Sequence, residues 1–525
     1  MKKRNLFFSL FASLILLSSC VNSNSKTSST RNTTTSTKVT QPTIVPTSQT
    51  KNPTTTNVLP TTSSNNSTTV MPTINPTTKT TTTVNDTVSI RPDIDYSNSL
   101  FASSDGVGSG TFDSPCSLSS AINALTTTKT LYLLDGVYNM DGPIIFRNSG
   151  KADSYYKIEA YGEDAILDFG KDYRVDQTIT NEYNKESNKG IVIKADYYSI
   201  KGITIRNCGS TGMHIYGNYN IIDDCVFAFN GNTGLNINGN SSNTIEKWPS
   251  NNLIKNCTSY GNYDWNRDDG NQGEDADGFG AKLCLCINNV FDGCIAYNNS
   301  DDGWDLFTKH KTGKIGAVTI KNCIAFNNGY AFDGTSMKNG NGFKLGGRAL
   351  EVDHVITNSI AFNNKANGFD DNSNPGTITV TNCTGYNNGA RNFATGRFLE
   401  ENNTYKSTWY EDEDLFGPIE NVKKSHNVFD GVLSYKGGTT DSYSGVAQNS
   451  YFYDNSGKFV IFDALSDCNS KYKIGTKYID YLPFKSLEIK LDLYNIHYSL
   501  RNSDGSINLG DYLKPIDNIT AGARL

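Results

Sequence analysis

The sequence has few histidines, no excess of positive charge and few hydrophobic residues, and each shortage excludes a class of protein. Five histidines occur in 525 residues, so a zinc site built from imidazoles is disfavoured. A formal net charge of -6 argues against a nucleic-acid partner, which requires a basic face. Hydrophobic residues make up 36% of the chain, which is low for one compact core. Abundant Gly, Asn, Ser and Thr favour many short strands and turns instead.

The N-terminus is typical of an exported bacterial lipoprotein. Positive residues 2–4 precede a mostly apolar run over residues 6–17, which is too short to span a bilayer comfortably. Small residues then lead into Cys20, as in a lipobox. We therefore predict a signal peptide over residues 1–20, lipidation of Cys20 and anchoring at the bacterial cell surface or outer membrane. The alternative is an ordinary cleaved signal with an incidental cysteine.

Residues 21–90 are almost entirely Thr, Ser, Asn, Pro and Lys. So few apolar side chains cannot form a core, which predicts a disordered tether that holds residues 91–525 away from the membrane. A glycosylated stalk would have the same mechanical role.

A repeat organises the chain from about Gly190 to Phe393. A short strand ends in an Asn-Cys or Asn-Ser turn, an aromatic residue follows, and an Asn-Asn pair closes most copies, as in Ile320-Lys321-Asn322-Cys323-Ile324-Ala325-Phe326-Asn327-Asn328. Irregular spacing with recurring turn chemistry predicts an all-β parallel β-helix, a solenoid whose coils carry loops of different length. Asn at one turn position can bond to its equivalent one coil away, about 4.8 Å along the axis.

The flanking regions are predicted to close the solenoid. Residues 117–125 form a short amphipathic helix that begins with a serine and suits the role of an N-terminal cap. Residues 405–525 contain aromatic and alternating segments, which indicate the last coils and a C-terminal cover.

Ten cysteines besides Cys20 lack paired C-x-x-C spacing. Six recur with the repeat, which favours an interior column of free thiols: Cys208, Cys225, Cys257, Cys294, Cys323 and Cys383. One or two disulfides are the alternative in an exported protein.

A recurring Gly followed by an apolar residue aligns the coils, as in Gly278-Phe279, Gly303-Trp304 and Gly342-Phe343. When the coils are aligned on this Gly, the residues one position before it form one column, and the residues two positions after it form a second column. The middle coils place Asp277 beside Asp302, and Asp305 beside Lys344, about one strand spacing apart. Asp301 adds a further carboxylate next to Asp302.

Stacked carboxylates repel each other, so a cation should neutralise them. Ca2+ prefers about six to eight oxygen ligands. We therefore predict a Ca2+ site at Asp277, Asp301, Asp302 and Asp305; a Ca2+ that only joins coils is the structural alternative. Lys344 stands beside this site, where a divalent cation and desolvation would favour the neutral amine that can abstract a proton.

The runs Ala276-Asp277-Gly278-Phe279, Asn299-Ser300-Asp301-Asp302-Gly303-Trp304-Asp305 and Asn341-Gly342-Phe343-Lys344-Leu345-Gly346-Gly347 resemble polysaccharide lyase family 9. The resemblance implies a right-handed parallel β-helix and Ca2+-dependent pectate lyase activity on polygalacturonate. It also implies that Asp277, Asp301, Asp302 and Asp305 bind Ca2+ and that Lys344 is the catalytic base. Some family members act on other polymers, so the exact uronate polymer stays open.

Further cations are candidates for binding substrate carboxylates: Lys282, Arg348, Arg391 and Arg397. The expected partner is an acidic polysaccharide bound by a monomer, with membrane contact only through the lipid. Two other functions compete: a polygalacturonase-type hydrolase, which Asp301-Asp302 could imitate, and a non-catalytic carbohydrate-binding surface protein with structural Ca2+.

Overall fold

The computed structural model describes residues 90–178, 184–396, 427–454, 458–470, 476–477 and 482–525. A compact unit spans Asp93–Leu525. The predicted signal peptide, Cys20, nearly all of the predicted tether and Arg397 lie outside the described residues. No helix within the described ranges is long and apolar enough to cross a membrane.

The chain winds through three β-sheets, and each central coil contributes one strand to each sheet. Sheet 1 contains Ser99–Ala102, Thr130–Leu133, Tyr156–Ala160, Tyr198–Lys201, Ile221–Asp223, Leu253–Lys255, Asn289–Asp292, Val318–Lys321, Val355–Thr357, Thr379–Thr381, Asn427–Asp430, Ser442–Gln448 and Ser466–Asn469. Sheet 2 contains Gly136–Asn139, Ala165–Asp168, Thr204–Arg206, Val226–Ala228, Thr258–Tyr260, Ile295–Tyr297, Ile324–Phe326, Ile360–Phe362, Thr384–Tyr386, Leu433–Tyr435, Ser450–Tyr453, Phe459–Phe462 and Thr476–Lys477.

Sheet 3 contains Ile144–Phe146, Ile191–Ile193, Met213–Ile215, Leu235–Ile237, Phe279–Ala281, Trp304–Asp305, Phe343–Lys344, Phe369–Asp370 and Phe393–Thr395. Strand Ser442–Gln448 pairs with both sheet 3 and sheet 1, which makes those two sheets continuous at the C-terminal end. Pairing is parallel except in the last hairpins. The predicted all-β parallel β-helix is confirmed.

A left-handed residue turns the chain from sheet 1 into sheet 2 in each central coil. Asn fills this position in four coils, at Asn256, Asn322, Asn358 and Asn382, with φ between 43° and 56°. Asn tolerates this conformation better than most residues, which explains the repeated Asn-Cys and Asn-Ser turns.

A buried asparagine ladder follows sheet 2. Each side-chain amide donates to the side-chain oxygen of the next asparagine at 2.8–3.0 Å. The ladder runs through Asn230, Asn262, Asn299, Asn328, Asn364, Asn388 and Asn392. This bears out the expected bonding between equivalent turns.

The glycine that aligned the coils is required by close packing against this ladder. A Cβ on Gly303 would lie 2.6 Å from the carbonyl oxygen of Gly342 and 2.9 Å from Nδ2 of Asn328. The next residue on each strand is a buried aromatic in the middle coils. These rings stack on one another inside the solenoid at centroid distances of 4.7–5.0 Å, through Phe279, Trp304, Phe343, Phe369 and Phe393.

All ten described cysteines are free. Register places Cys225, Cys257, Cys294, Cys323 and Cys383 in one buried column, with Ser359 between the last two. Cys208 was predicted in that column, and this was wrong. It follows sheet 2 rather than sheet 1, and its N–H donates to Asn230, so it begins the asparagine ladder.

Short helices and the C-terminal segment enclose the solenoid. The predicted N-terminal helix is present at Leu118–Ala124, with the Ser117 hydroxyl accepting from the Ser120 N–H. A second helix spans Ile496–Ser499, and 3-10 turns span Tyr96–Asn98, Glu186–Asn188 and Ile245–Lys247. Within residues 482–525, side chains such as Leu513 pack along the outward aromatic face of sheet 2, where Tyr297, Phe326 and Phe362 stack.

We expect Asn328→Ala to lower the free energy of unfolding by about 3 kcal/mol, because several buried polar groups lose their partner at once. Asn328 accepts from Asn299 at 3.0 Å and donates to Asn364 at 2.9 Å and to the Ala296 carbonyl at 3.2 Å. Denaturant unfolding measures the loss. Thr319→Ala on the outward side of sheet 1 is the control, and an equal loss in both variants would contradict a special role for the ladder.

A buried neutral histidine should make the fold sensitive to acid. The His354 Nδ1 accepts from the Val318 N–H at 3.1 Å, and burial lowers the pKa of His354 to about 3. Its pKa in the unfolded chain is near 6.5, so its stability contribution is present above pH 6.5 and is lost as pH falls toward 3. At pH 4.5 the loss is about 2–3 kcal/mol.

Asn occupies the same register position two and three coils earlier, at Asn289 and Asn252, where its side-chain oxygen accepts a similar N–H bond. His354→Asn should therefore lose less stability than the unmodified protein between pH 7 and pH 4.5, as measured by urea unfolding. Parallel losses in the two proteins would show that another group is responsible.

Candidate functional site

The register of sheet 3 brings the predicted residues into adjacent coils. Asp305 pairs with Gly280 on one side and Lys344 on the other, as the glycine alignment predicts. Asp277 and Asp302 each precede the aligned glycine of their own coil, so they lie on neighbouring coils of the same face.

Three buried carboxylates converge at this face. One oxygen from each of Asp277, Asp301 and Asp302 lies within 4.8 Å of the others. Thr233 donates to Asp277 Oδ2 at 3.1 Å, and Asn341 donates to Asp302 Oδ1 from its side chain at 2.9 Å and its backbone at 2.7 Å. The Asp301 Oδ1 is buried and has no hydrogen-bond partner among the described residues. The free oxygen is therefore available to a cation.

Two lysines border the carboxylates. Lys344 Nζ lies 3.1 Å from Asp302 Oδ2 and 3.5 Å from Asp305 Oδ1. Lys282 Nζ lies 2.7 Å from Asp277 Oδ2 and 2.8 Å from Asp305 Oδ2. Asp305 thus contacts both ammonium groups and lies outside the tight group of three carboxylates.

Burial and mutual repulsion make this cluster costly to ionise. Burial, with the charges of Asp305 and Asp302, raises the pKa of Asp277 to about 7. Burial and Asp302 raise the pKa of Asp301 well above its usual range. Burial lowers the pKa of Lys344, but the surrounding carboxylates outweigh it and hold that pKa well above the ordinary value. A divalent cation would neutralise the field that acts on all of these groups.

The donor set fits a hard cation. It consists of carboxylate oxygens alone, one of them without a partner, and no histidine or cysteine belongs to this group. Ca2+ takes such oxygen ligands and completes its coordination with water or with substrate carboxylates. Asp277, Asp301 and Asp302 would hold it directly, with Asp305 beside them.

A groove of about 410 Å³ opens beside the cluster and is lined by polar and charged groups. Lys282, Asp305 and Lys344 lie on one part of it, next to Phe307. The Lys344 Nζ lies 5.6 Å from the centre of the Phe307 ring, and the Lys344 side chain is 17% exposed. The amine is thus desolvated yet reachable from the groove.

The predicted arginines lie at different places. The Arg348 guanidinium lies 5.7 Å from the centre of the Phe307 ring, which places it on the Lys344 side. Arg391 precedes strand Phe393–Thr395, three coils from Asp302, and its Nε donates to the Thr440 carbonyl at 3.1 Å. Arg397 lies outside the described residues.

The same groove contains two residues that were not predicted to act. Lys189 and His214 line it on the N-terminal side. Extending the glycine alignment by one coil, to Gly190-Ile191, would have found Lys189, because Ile191 pairs with Met213.

Several known proteins resemble this chain in sequence and fold. Residues 100–403 match the model of the "Pel9A-like, right handed beta helix region" family. Pectate lyase L of Paenibacillus polymyxa (strain SC2) is 36% identical over 403 residues, which cover 76% of each chain. Pectate lyase L of Thermoclostridium stercorarium is 37% identical over 358 residues, which are 66% of this chain and 25% of that longer protein.

A solved structure resembles the whole solenoid. The crystal structure of pectate lyase Pel9A superimposes with a TM-score of 0.59 at 26% identity, and the match covers 80% of this chain and 89% of that one. The resemblance to polysaccharide lyase family 9 is confirmed. The chain belongs to the Pel9A-like family of right-handed parallel β-helix proteins.

Proposed function

We propose that this polysaccharide lyase is a pectate lyase, which cleaves polygalacturonate by Ca2+-dependent β-elimination with Lys344 as the base. The observation that carries the proposal is the buried group of Asp277, Asp301 and Asp302, with the Lys344 amine 3.1 Å from Asp302 at the edge of the groove. The names of the three relatives described above, pectate lyase L from two organisms and pectate lyase Pel9A, support the same activity.

Ca2+ held by the four aspartates would bind the uronate carboxylate and withdraw electron density from it, which acidifies the neighbouring C5 proton. The chain's own contribution is proton transfer. The neutral Lys344 Nζ takes the C5 proton, and the C5–H electron pair forms the C4–C5 double bond. The C4–O bond breaks, and the glycosidic oxygen leaves with that bond's electron pair and takes up a proton from solvent. No water enters the reaction.

Three features of the chain support Lys344 in this role. It is fixed by register directly beside Asp305, on the coil that follows it. Its side chain is only 17% exposed, and it lines the groove. Lys282, in contrast, is held between Asp277 and Asp305, so it is better placed to meet the substrate carboxylate than the C5 proton.

Other predictions accompany the proposal. Secretion, lipidation at Cys20 and a monomeric state stay predictions. Another uronate polymer would use the same carboxylate and C5 chemistry, and Arg348 and Arg391 remain candidates to contact it.

The product distinguishes a lyase from a hydrolase or a binding protein. Polygalacturonate treated with the enzyme should yield an unsaturated uronide that absorbs in the ultraviolet, one for each new reducing end, and a chelator should stop its formation. Reducing ends without absorbance would show hydrolysis. Binding without any product, on polygalacturonate and on other uronate polymers, would indicate a non-catalytic protein.

A further inference from the structure

The groove contains a buried lysine whose amine contacts no carboxylate in the described chain. Burial lowers the pKa of Lys189 to about 8, while the more distant Glu186 opposes that shift, so the amine is mostly protonated at pH 7. Lys189 is 8% exposed, and its Nζ donates to His214 Nδ1 at 2.9 Å and to the Tyr216 hydroxyl at 3.2 Å. Both partners are neutral, and within the described chain no carboxylate oxygen lies within 4.0 Å of this ammonium. Burying a charge without a counter-ion costs several kcal/mol, so the free energy is recovered when an anion binds.

His214 fixes the direction of the ammonium. Its Nδ1 accepts from Lys189, and its Nε2 therefore carries the proton and donates to the Asn238 carbonyl at 3.1 Å. Burial and the Lys189 charge keep the pKa of His214 well below its usual value, so the ring stays neutral. The ring also stacks on Tyr216 at a centroid distance of 4.1 Å. The ammonium is thus held in place before any ligand arrives.

Lys189 lies in register with the carboxylate site. It precedes Gly190 as Asp277 precedes Gly278, and three successive parallel pairings connect the two strands. At about 4.8 Å per coil, the two positions are roughly 14 Å apart along the axis. Lys189 lines the same groove as Lys282, Asp305 and Lys344, which border the carboxylate site.

The groove between Lys189 and the carboxylate site is suited to binding an acidic sugar chain. Neutral polar side chains such as Thr211 and Asn236 line the floor between Lys189 and the carboxylates. The two other acids of the groove wall are already paired, Glu274 with Lys338 at 3.0 Å and Asp275 with Arg267 at 2.5 Å. The amine of Lys189 therefore lines the groove without a carboxylate in contact with it.

We propose that Lys189 binds a carboxylate of the polyuronate chain, at a subsite about three coils from the cation site. This inference rests on the proposed function, which places the polymer in the groove beside Lys344. His214 and Tyr216 are positioning residues for the ammonium. The subsite contributes to binding of long chains and takes no part in bond cleavage.

Lys189→Gln tests this subsite, because glutamine removes the charge and keeps a donor for His214. With long oligogalacturonates and polygalacturonate, KM should rise about tenfold while kcat stays nearly constant, since a charge-assisted hydrogen bond is lost in ground state and transition state alike. With digalacturonate and trigalacturonate, too short to reach from Lys344 to Lys189, the variant and the unmodified enzyme should have the same kcat/KM. Lys201→Gln, an exposed lysine on sheet 1, is the matched control.

Two further measurements distinguish loss of the subsite from damage to the fold. Lys189→Arg, which keeps the charge, should restore most of the affinity for long chains, and the melting temperature of Lys189→Gln should stay within a few degrees of the unmodified protein. A loss that is equal for short and long chains would overturn the subsite. If no unsaturated product forms at all, the proposed function fails. The subsite can then still be tested by calorimetric titration with oligogalacturonates. Unchanged affinity in Lys189→Gln would overturn the subsite.

Discussion

Lys344→Ala should lower kcat on polygalacturonate by about a thousandfold or more, because the variant lacks the group that removes the C5 proton. The amine reaches the groove from a largely buried stem and contacts Asp302 and Asp305, so no water can take its place with the same basicity. KM should change little, since Ca2+ and the remaining cations still bind the substrate. Steady-state absorbance kinetics measures both constants.

The same variant should keep or increase its Ca2+ affinity. Lys344 competes with a metal ion for Asp302 and Asp305, and its removal leaves these carboxylates with less positive charge nearby. Calorimetric titration of Ca2+ gives the comparison. Lys321→Ala, a half-exposed lysine of sheet 1, is the control for loss of a lysine elsewhere in the fold. Near-normal kcat in Lys344→Ala would remove this residue from the chemistry.

Asp301→Asn should weaken Ca2+ binding about a hundredfold and lower activity to the same extent at limiting Ca2+. Asp301 is 1% exposed, and its Oδ1 has no hydrogen-bond partner in the described structure, so its main contribution is charge and one oxygen ligand. High Ca2+ should restore part of the activity, which a damaged fold would not permit.

Although Asp301→Asn should lose Ca2+ affinity, it should not lose thermal stability when a chelator removes Ca2+. Asp301 adds a like charge beside Asp302 and Asp277, and its raised pKa reflects that cost. Asp301→Asn should therefore melt at or above the temperature of the unmodified protein without Ca2+, and its melting temperature should rise less when Ca2+ is added. Asp153→Asn, at an exposed position, controls for general loss of acid charge. A full Ca2+ response in Asp301→Asn would exclude this residue as a ligand.

The parts of the site that repeat with the coil were predictable from sequence. In a parallel solenoid, residues at equal offsets from a fixed turn lie one strand spacing apart, so one glycine column was enough to place Asp305 beside Lys344. The buried Trp304 and the asparagine ladder follow from the same register.

Features without a repeat could not be predicted in this way. Lys282 follows a strand in an irregular turn, and its contact with Asp277 depends on side-chain reach rather than on register. Cys208 follows an Asn as Cys257, Cys323 and Cys383 do. The turn after sheet 2 thus uses the same dipeptide as the turn after sheet 1, so the local motif is ambiguous. In the sequence, the aromatic residue after each Asn-Cys or Asn-Ser turn was recognised only as part of the repeat. In the structure these rings form the outward surface that residues 482–525 cover.

The crystal structure of Lys344→Ala with Ca2+ and an oligogalacturonate would test the central claim most directly. We predict Ca2+ bound by Asp277, Asp301, Asp302 and Asp305 together with a uronate carboxylate, and the C5–H of that sugar directed at position 344. Ca2+ bound elsewhere, or a sugar whose C5 faces away from position 344, would contradict elimination by this lysine.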